Sequence, residues 1–398
     1  MTCRPLAALV AAALLFIVPA PAFAGRSQDG PRPRKCKVAA TGSYACALAP
    51  VGKLKLSETA GLGRIKLAPK GTLGAALQRD EGTVAILDMS RPHKPTVVGR
   101  YGTANVSLDG DLAFSSDGNW LFYARQTSDW DQEGIHVLDL SDPEEPRLAG
   151  YAPAGGSYRV AYHEDDSGQW VVLLDAISGL VVYRFEPTTG QLIPVHVDAL
   201  PALKVGGPAS AGIVIEPPHR DDDRPLMYVT TGRTGLQIFD LADPAAPVLL
   251  GDWTDLGLAE VVVRTTKQRR LAYVATEYWF NKNIPPEVIV LDVTDPRAIE
   301  EERRFSLGGD PGALHEAERV QGMRLYGNRL YVAHSTLGLV VLHADSGRVL
   351  ASARVAGKKN PDARVEVAPY AIDVELGRGH LYLMDAATGV MTVFRHPG

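Results

Sequence analysis

Apolar and polar residues alternate in short runs along most of the chain, and the runs recur at a regular interval. The segment VAILDMSRPHKPTVVG (84–99) returns as IHVLDLSDPEEPRLAG (135–150), LQIFDLADPAAPVLLG (236–251) and VIVLDVTDPRAIEEER (288–303). Weaker copies are LVVYRFEPTTGQLIPV (180–195), LVVLHADSGRVLASAR (339–354) and VMTVFRHPG (390–398). The residue closing each apolar run is Asp88, Asp139, Arg184, Asp240, Asp292, His343 and Arg395, which sets successive spacings of 51, 45, 56, 52, 51 and 52. A period of this size marks a repeat architecture in which each copy is one supersecondary unit.

Each copy follows the same order. A second apolar run stands upstream of the marker, as in WLFYA (120–124), LMYVT (226–230) and LAYVA (271–275), and a shorter one precedes it, as in LAFS (112–115) and GIVIE (212–216). Turn formers such as Asp117-Gly118-Asn119 and Gly377-Arg378-Gly379 divide them. The run after the marker supplies a fourth strand. Four short strands per repeat predict blades of an all-β, seven-bladed β-propeller, with six or eight blades as alternatives. The seventh copy runs out after its third strand, while VGKLKLSE (51–58) stands unassigned before the first copy. Pairing that stretch into the last blade would close the ring and remove two exposed edges. An Asp that ends a strand just before Asp-Pro is expected to cap a turn through backbone amides, not to bind metal.

The LVIVD-like strands, followed by a Ser/Ala/Thr-Asp-Pro turn and a later Gly, resemble those of LVIVD-repeat β-propeller proteins, and more loosely the YVTN-type propellers of exported bacterial proteins. The resemblance spans residues 51–398. The third, sixth and seventh copies depart from it by losing the marker Asp. It implies an exported propeller used as a binding scaffold, and carries over no catalytic residue.

Ahead of the repeats, Arg4, the apolar run Leu6 to Val18 and Ala22-Phe23-Ala24 form the three parts of a Sec-type signal peptide over residues 1–24. The expected destination is the medium, the periplasm or the cell envelope, with no membrane span. Residues 25–50 are expected to be a flexible leader. Its Cys36 and Cys46 would form a disulfide in an oxidising compartment, with a pair of free thiols as the alternative. Residues 51–398 make the propeller domain. Gly and Pro together reach about 17% of the chain, against ~12% in average usage, which suits many turns. The net charge of -5 lacks the basic footprint of a nucleic-acid binder, and a monomer is expected.

No G-x-S-x-G elbow, H-E-x-x-H helix or P-loop occurs, and the ten His residues show no ligand spacing. No catalytic residue, metal site or cofactor is therefore assigned, and the balance leans away from an enzyme. His315 with Glu316 and Glu318, and the run Asp221-Asp222-Asp223, read as solvated loops.

Propellers bind at the mouth of the central channel, where first strands begin and the loops between second and third strands gather. Five of those loops are short. Two are long, QTSDWDQE (126–133) in the second repeat and EYWFNKNIPP (277–286) in the fifth, nearly opposite each other in a seven-membered ring. They carry Trp130, Tyr278, Trp279 and Phe280, aromatic anchors of the kind recognition surfaces use, unless the rings fold back on blade edges. The first strands would line the channel with Arg64, Asp111, Arg159, Ser210, Glu260, Arg319 and Tyr370. A one-residue slip would turn any of these away. Two functions follow: a non-catalytic scaffold that binds a partner protein, peptide or envelope glycan, or a metal- or cofactor-dependent hydrolase or oxidase. The second needs convergent acids, amides or His, and the ring offers Asp111 and Glu260.

Overall fold

The computed structural model describes residues 46–58, 61–102, 107–127, 130–198, 211–218, 224–232, 234–276, 286–307, 319–335, 337–353, 358–359, 366–367 and 370–396. The signal peptide, Cys36, Tyr278, Trp279, Phe280, Ser210, His315 and Asp221 to Asp223 lie outside the described residues.

Seven antiparallel sheets form a seven-bladed β-propeller. Blade one comprises Leu62–Leu67, Leu73–Gln78, Thr83–Asp88 and Thr96–Gly102, and blade two Ser107–Phe114, Trp120–Thr127, Gly134–Asp139 and Arg147–Pro153. Blade three is Ser157–Asp165, Gly168–Asp175, Gly179–Glu186 and Gln191–Asp198, and blade four Ala211–Glu216, Leu226–Thr231, Gly235–Asp240 and Val248–Trp253. Leu258–Thr265, Arg270–Thr276, Glu287–Asp292 and Glu300–Ser306 make blade five. Blade six is Val320–Tyr326, Arg329–His334, Gly338–His343 and Val349–Ala353. Blade seven has Ala371–Gly377, His380–Asp385 and Val390–Arg395, and its fourth place is taken by Pro50–Lys55, paired Gly52↔Val393 and Leu54↔Met391. Just upstream, Cys46–Ala47 lies parallel to the outer strand of blade six, and Leu48 N donates to Ser352 O at 3.0 Å.

The middle strands explain the architecture. In blade two, Leu121 and Tyr123 join an apolar cluster shared with blade one, while Phe122 and Ala124 join one shared with blade three. A strand buried on both faces reads as a continuous apolar run, which is what the repeats show. Each of the seven seams between neighbouring blades has its own cluster of this kind. The seam between blades seven and one gathers Leu62, Ile65, Tyr382 and Met391 with Leu56 and Leu54.

The repeat's other signatures are turn and seam chemistry. Asp88, Asp139, Asp240 and Asp292 each accept the backbone N–H two residues on, at 2.8–2.9 Å. That bond, the largest effect on Asp88, holds its carboxyl below the usual range. The later Gly sits at a bulge in the outer strand, where the next blade's turn presses in. A Cβ on Gly99, Gly150 or Gly251 would collide with the carbonyl oxygen of Pro143, Gly190 or Pro296, and one on Gly52 with that of His93.

Because the obstacle is backbone, Gly150→Ala and Gly251→Ala are each expected to cost about 1–3 kcal/mol. Gly52→Ala should cost as much, if Pro50–Lys55 bears the same seam load. Denaturant unfolding of the three variants checks this, and a silent Gly52→Ala would show that the strand carries no load.

Candidate functional site

The strands at the channel converge on a cluster of buried charges. Among the described residues, every first strand except that of blade four opens with a bulge next to the mouth, and a bulge re-aims the side chains beside it. Arg64 and Glu260 lie within such bulges in blades one and five. Across the channel Arg64 Nη2 meets Glu260 Oε1 at 2.5 Å, and Arg159 Nε of blade three stands 3.7 Å from the same oxygen. Asp373 of blade seven is fully buried, accepts the Ile65 N–H at 3.0 Å, and lies 3.8 Å from Arg64 Nη1 and 3.9 Å from Arg324 Nη2. Arg324 grips Glu375 in a two-pronged bond of 3.0 and 2.8 Å. Asp111 of blade two accepts Val160 N–H of blade three at 3.3 Å.

These ion pairs set the titration of the floor. Burial works to raise the Glu260 carboxyl, but Arg64, then Arg159 and Arg324, outweigh it and hold it below the usual range. For Asp373 burial wins over Arg324 and Arg64, and its carboxyl is raised. The cluster is therefore a neutralised floor under the mouth.

Four expected lining residues, Arg64, Asp111, Arg159 and Glu260, are drawn in and buried, between 4 and 8% exposed. Arg319 and Tyr370 sit one residue ahead of their strands. Tyr370 packs beside the apolar seam of blades seven and one, and its hydroxyl accepts from Gln321 Nε2 at 3.4 Å. The channel position in blade seven belongs instead to Asp373, displaced by the bulge between Ala371 and Asp373. In blade six the bulge brings Gly322 against Asp373, where a Cβ would strike the carboxylate.

Of the two long loops, the one in blade two is described in part. Trp130 opens a 3-10 turn, Trp130–Gln132. Behind it the buried Arg125 donates from Nη1 to Gln132 Oε1 at 2.8 Å. His136 Nε2 donates to Gln132 O at 3.1 Å, so Nδ1 accepts from the Tyr101 hydroxyl at 2.8 Å. Burial, which outweighs the Gln132 carbonyl, and then Arg125 lower the pKa of this imidazole. Tyr151 donates to Glu133 O at 2.6 Å. The Glu133 carboxyl is pushed up to about 7 by burial and then by Asp175, against the Ser157 amide and Arg125. Sequence reasoning missed this anchoring set. In the fifth blade, Thr276 Oγ1 accepts the Glu287 N–H at 2.8 Å and closes the base of the other loop.

Short mouth loops are pinned by the last residue of the second strand. Asp175 Oδ1 accepts from Ile177 N and Ser178 N, and Asp385 Oδ1 from Ala387 N and Thr388 N. No group of three or more His, Cys, Asp or Glu suited to a metal ion occurs among the described residues. No helix among them is long and apolar enough to cross a membrane.

The LVIVD repeat family model matches residues 227–255, which hold most of the second strand of blade four and all of its third and fourth. This match and the seven blades fit an LVIVD-repeat β-propeller protein. No curated protein sequence matches it. Among solved structures it resembles Raptor from Chaetomium thermophilum, with a TM-score of 0.60 and 12% identity over 88% of this chain and 29% of that one. Sqt1 from Saccharomyces cerevisiae matches with a TM-score of 0.54 and 10% identity, over 88% of this chain and 100% of Sqt1. Hydrazine synthase from Kuenenia stuttgartiensis matches with 0.58 and 12%, over 86% and 97%. At such identities the likeness is one of fold.

Two outcomes are expected from the floor and the loop. Glu260→Ala leaves Arg64 and Arg159 buried together and should cost about 3–5 kcal/mol, more than Glu260→Gln, by chemical denaturation. Glu133 binds its proton more tightly folded than unfolded, so its contribution is complete below the unfolded carboxyl pKa and fades as pH rises through about 7. Glu133→Gln should therefore flatten the fall in melting temperature between pH 5 and about 7. An unchanged slope would place the titration elsewhere.

Proposed function

We propose that the chain is an exported, non-catalytic propeller that binds a partner protein, a peptide or an envelope glycan at the channel mouth. Export rests on the signal sequence over residues 1–24, with a Cys36–Cys46 disulfide in the leader as its companion, contributing about 2–3 kcal/mol. One observation carries the binding reading: the acids that a channel enzyme would use are already spent. Glu260 is neutralised by Arg64 and Arg159, and the Asp111 carboxylate accepts the Val160 amide. A floor of mutually paired charges supports a ligand lying across the rim. The rim's largest departures from the repeat are the two long loops with Trp130, Tyr278, Trp279 and Phe280. Stacking and hydrogen bonding there require no cofactor, and a monomer presents the whole rim. The hydrolase or oxidase alternative would have to draw its groups from those same loops.

The mature chain, from Gly25, should be immobilised and probed with a displayed peptide library and solubilised envelope glycans. The double variant Trp130→Ala, Trp279→Ala is expected to lose at least about 2 kcal/mol of binding, as hot-spot anchors do, with an unchanged melting temperature. Full binding by that variant overturns the site. Turnover of a substrate that Asp111→Asn abolishes overturns the scaffold reading.

A further inference from the structure

The face opposite the mouth, where first strands end and third strands turn, is divided by charge. Over blades two and three it exposes Asp117, Asp142, Glu144, Glu145, Glu164 and Asp166, with Arg147 paired to Glu145 among them. Over blades six, seven and one it exposes Lys70, Arg91, Lys94, Arg348, Arg378 and Arg395, with Asp345 as an exposed acid tied to Arg264 of blade five. Contacts between turns join the basic sector into one surface. Arg378, at φ 49°, donates from Nη1 to Ser90 O of blade one at 3.1 Å, beside Arg91. Gly379 O in the same turn accepts from His396 N, beside Arg395, and the His396 ring leans on Tyr326 and Tyr331 of blade six. Lys70, Lys94, Arg348 and Arg395 make no ion pair among the described residues.

Two more features lie on this sector. A cavity of about 300 Å³ opens at the seam of blades seven and one, between Lys70, Gly71, Gly377 and Arg378. Tyr326 ends its strand 65% exposed, its ring held edge-on by His396 at 5.0 Å between centroids.

We propose that this basic sector binds an acidic polysaccharide, its carboxylates meeting the cations and a sugar ring stacking on Tyr326. Cations spread over three blades suit an extended polyanion better than one small ion, and an exposed aromatic ring gives a sugar a face that a bare phosphate chain cannot use. The proposal is independent of the mouth. It draws on the export reading only for the compartment in which such a polymer is met.

Polygalacturonate is the probe, tested with the mature chain by biolayer interferometry at about 50 mM and about 500 mM salt, with inorganic polyphosphate in parallel. Binding is expected at low salt and should collapse at high salt. The charge-reversed variant Lys70→Glu, Lys94→Glu, Arg348→Glu should lose roughly tenfold or more in affinity for both polymers, with an unchanged melting temperature. Tyr326→Ala should weaken polygalacturonate binding alone, while Glu144→Lys, Glu145→Lys on the acidic sector should not weaken it. The mouth variant Trp130→Ala, Trp279→Ala should bind normally, which separates failure here from failure of the mouth reading. No binding at low salt, or full binding by the charge-reversed variant, overturns the proposal. Indifference to Tyr326→Ala overturns the sugar specificity. Low-salt self-association lost in the charge-reversed variant would name a second copy as the occupant, and overturn it as well.

Discussion

Burial of the middle strands on both faces is the constraint from which the rest follows. A sheet that is apolar on both sides can be satisfied only by a neighbour on each side, so the blades must form a closed cycle. Seven seams, each with its own cluster, meet that demand. Closure in turn drives the first strands toward one axis, and whatever side chains they carry there are forced together out of water. A buried charge without a partner is costly. The channel residues therefore come as a set in which Arg64, Arg159 and Arg324 face Glu260, Asp373 and Glu375.

That chain of consequences explains where function can lie. A floor whose charges neutralise one another has little freedom to change protonation or reach a ligand. The same packing leaves the loops at the two ends of the strands under weaker constraint. At the mouth, residues such as Asp175 and Asp385 tie the short loops down through backbone amides. The long loop of blade two needs a whole set of anchors, from Arg125 and His136 to Tyr151. At the other end, short turns such as Asp142-Pro143 are tight enough that their charges are carried on a rigid frame.

The fold was legible because its causes are local and repeated. The two-faced burial of each middle strand shows as an unbroken apolar run, and the marker aspartates of four copies show as turn caps. Even the recurrent Gly has a physical reason, since the next blade's carbonyl leaves no room for a Cβ at Gly99, Gly150 or Gly251. The candidate site was legible only in part. Arg64, Asp111, Arg159 and Glu260 follow from counting back along the first strands. Asp373 does not, because the bulge after Ala371 shifts the register by a residue that no period-2 pattern records. Arg125 and Glu133 were missed for another reason. Their significance lies in burial beneath a loop, and composition alone presents them as ordinary charged residues.

Ring closure also bears on how the two ends of the blades differ. The mouth gathers the starts of the first strands, where bulges turn charges inward to be neutralised. The opposite end gathers plain hairpin turns, which project outward and leave their charges in water. Charges there are biased by sector, with acids predominating over blades two and three and bases over blades six, seven and one. A bias of this kind does not help the fold, since like charges held close repel. Interspersed signs would serve solubility better. A sector that leaves Lys70, Lys94, Arg348 and Arg395 without an ion pair among the described residues, beside an exposed Tyr326, bears a small electrostatic cost that packing does not require. A ligand of opposite charge is the physical circumstance in which that cost is recovered.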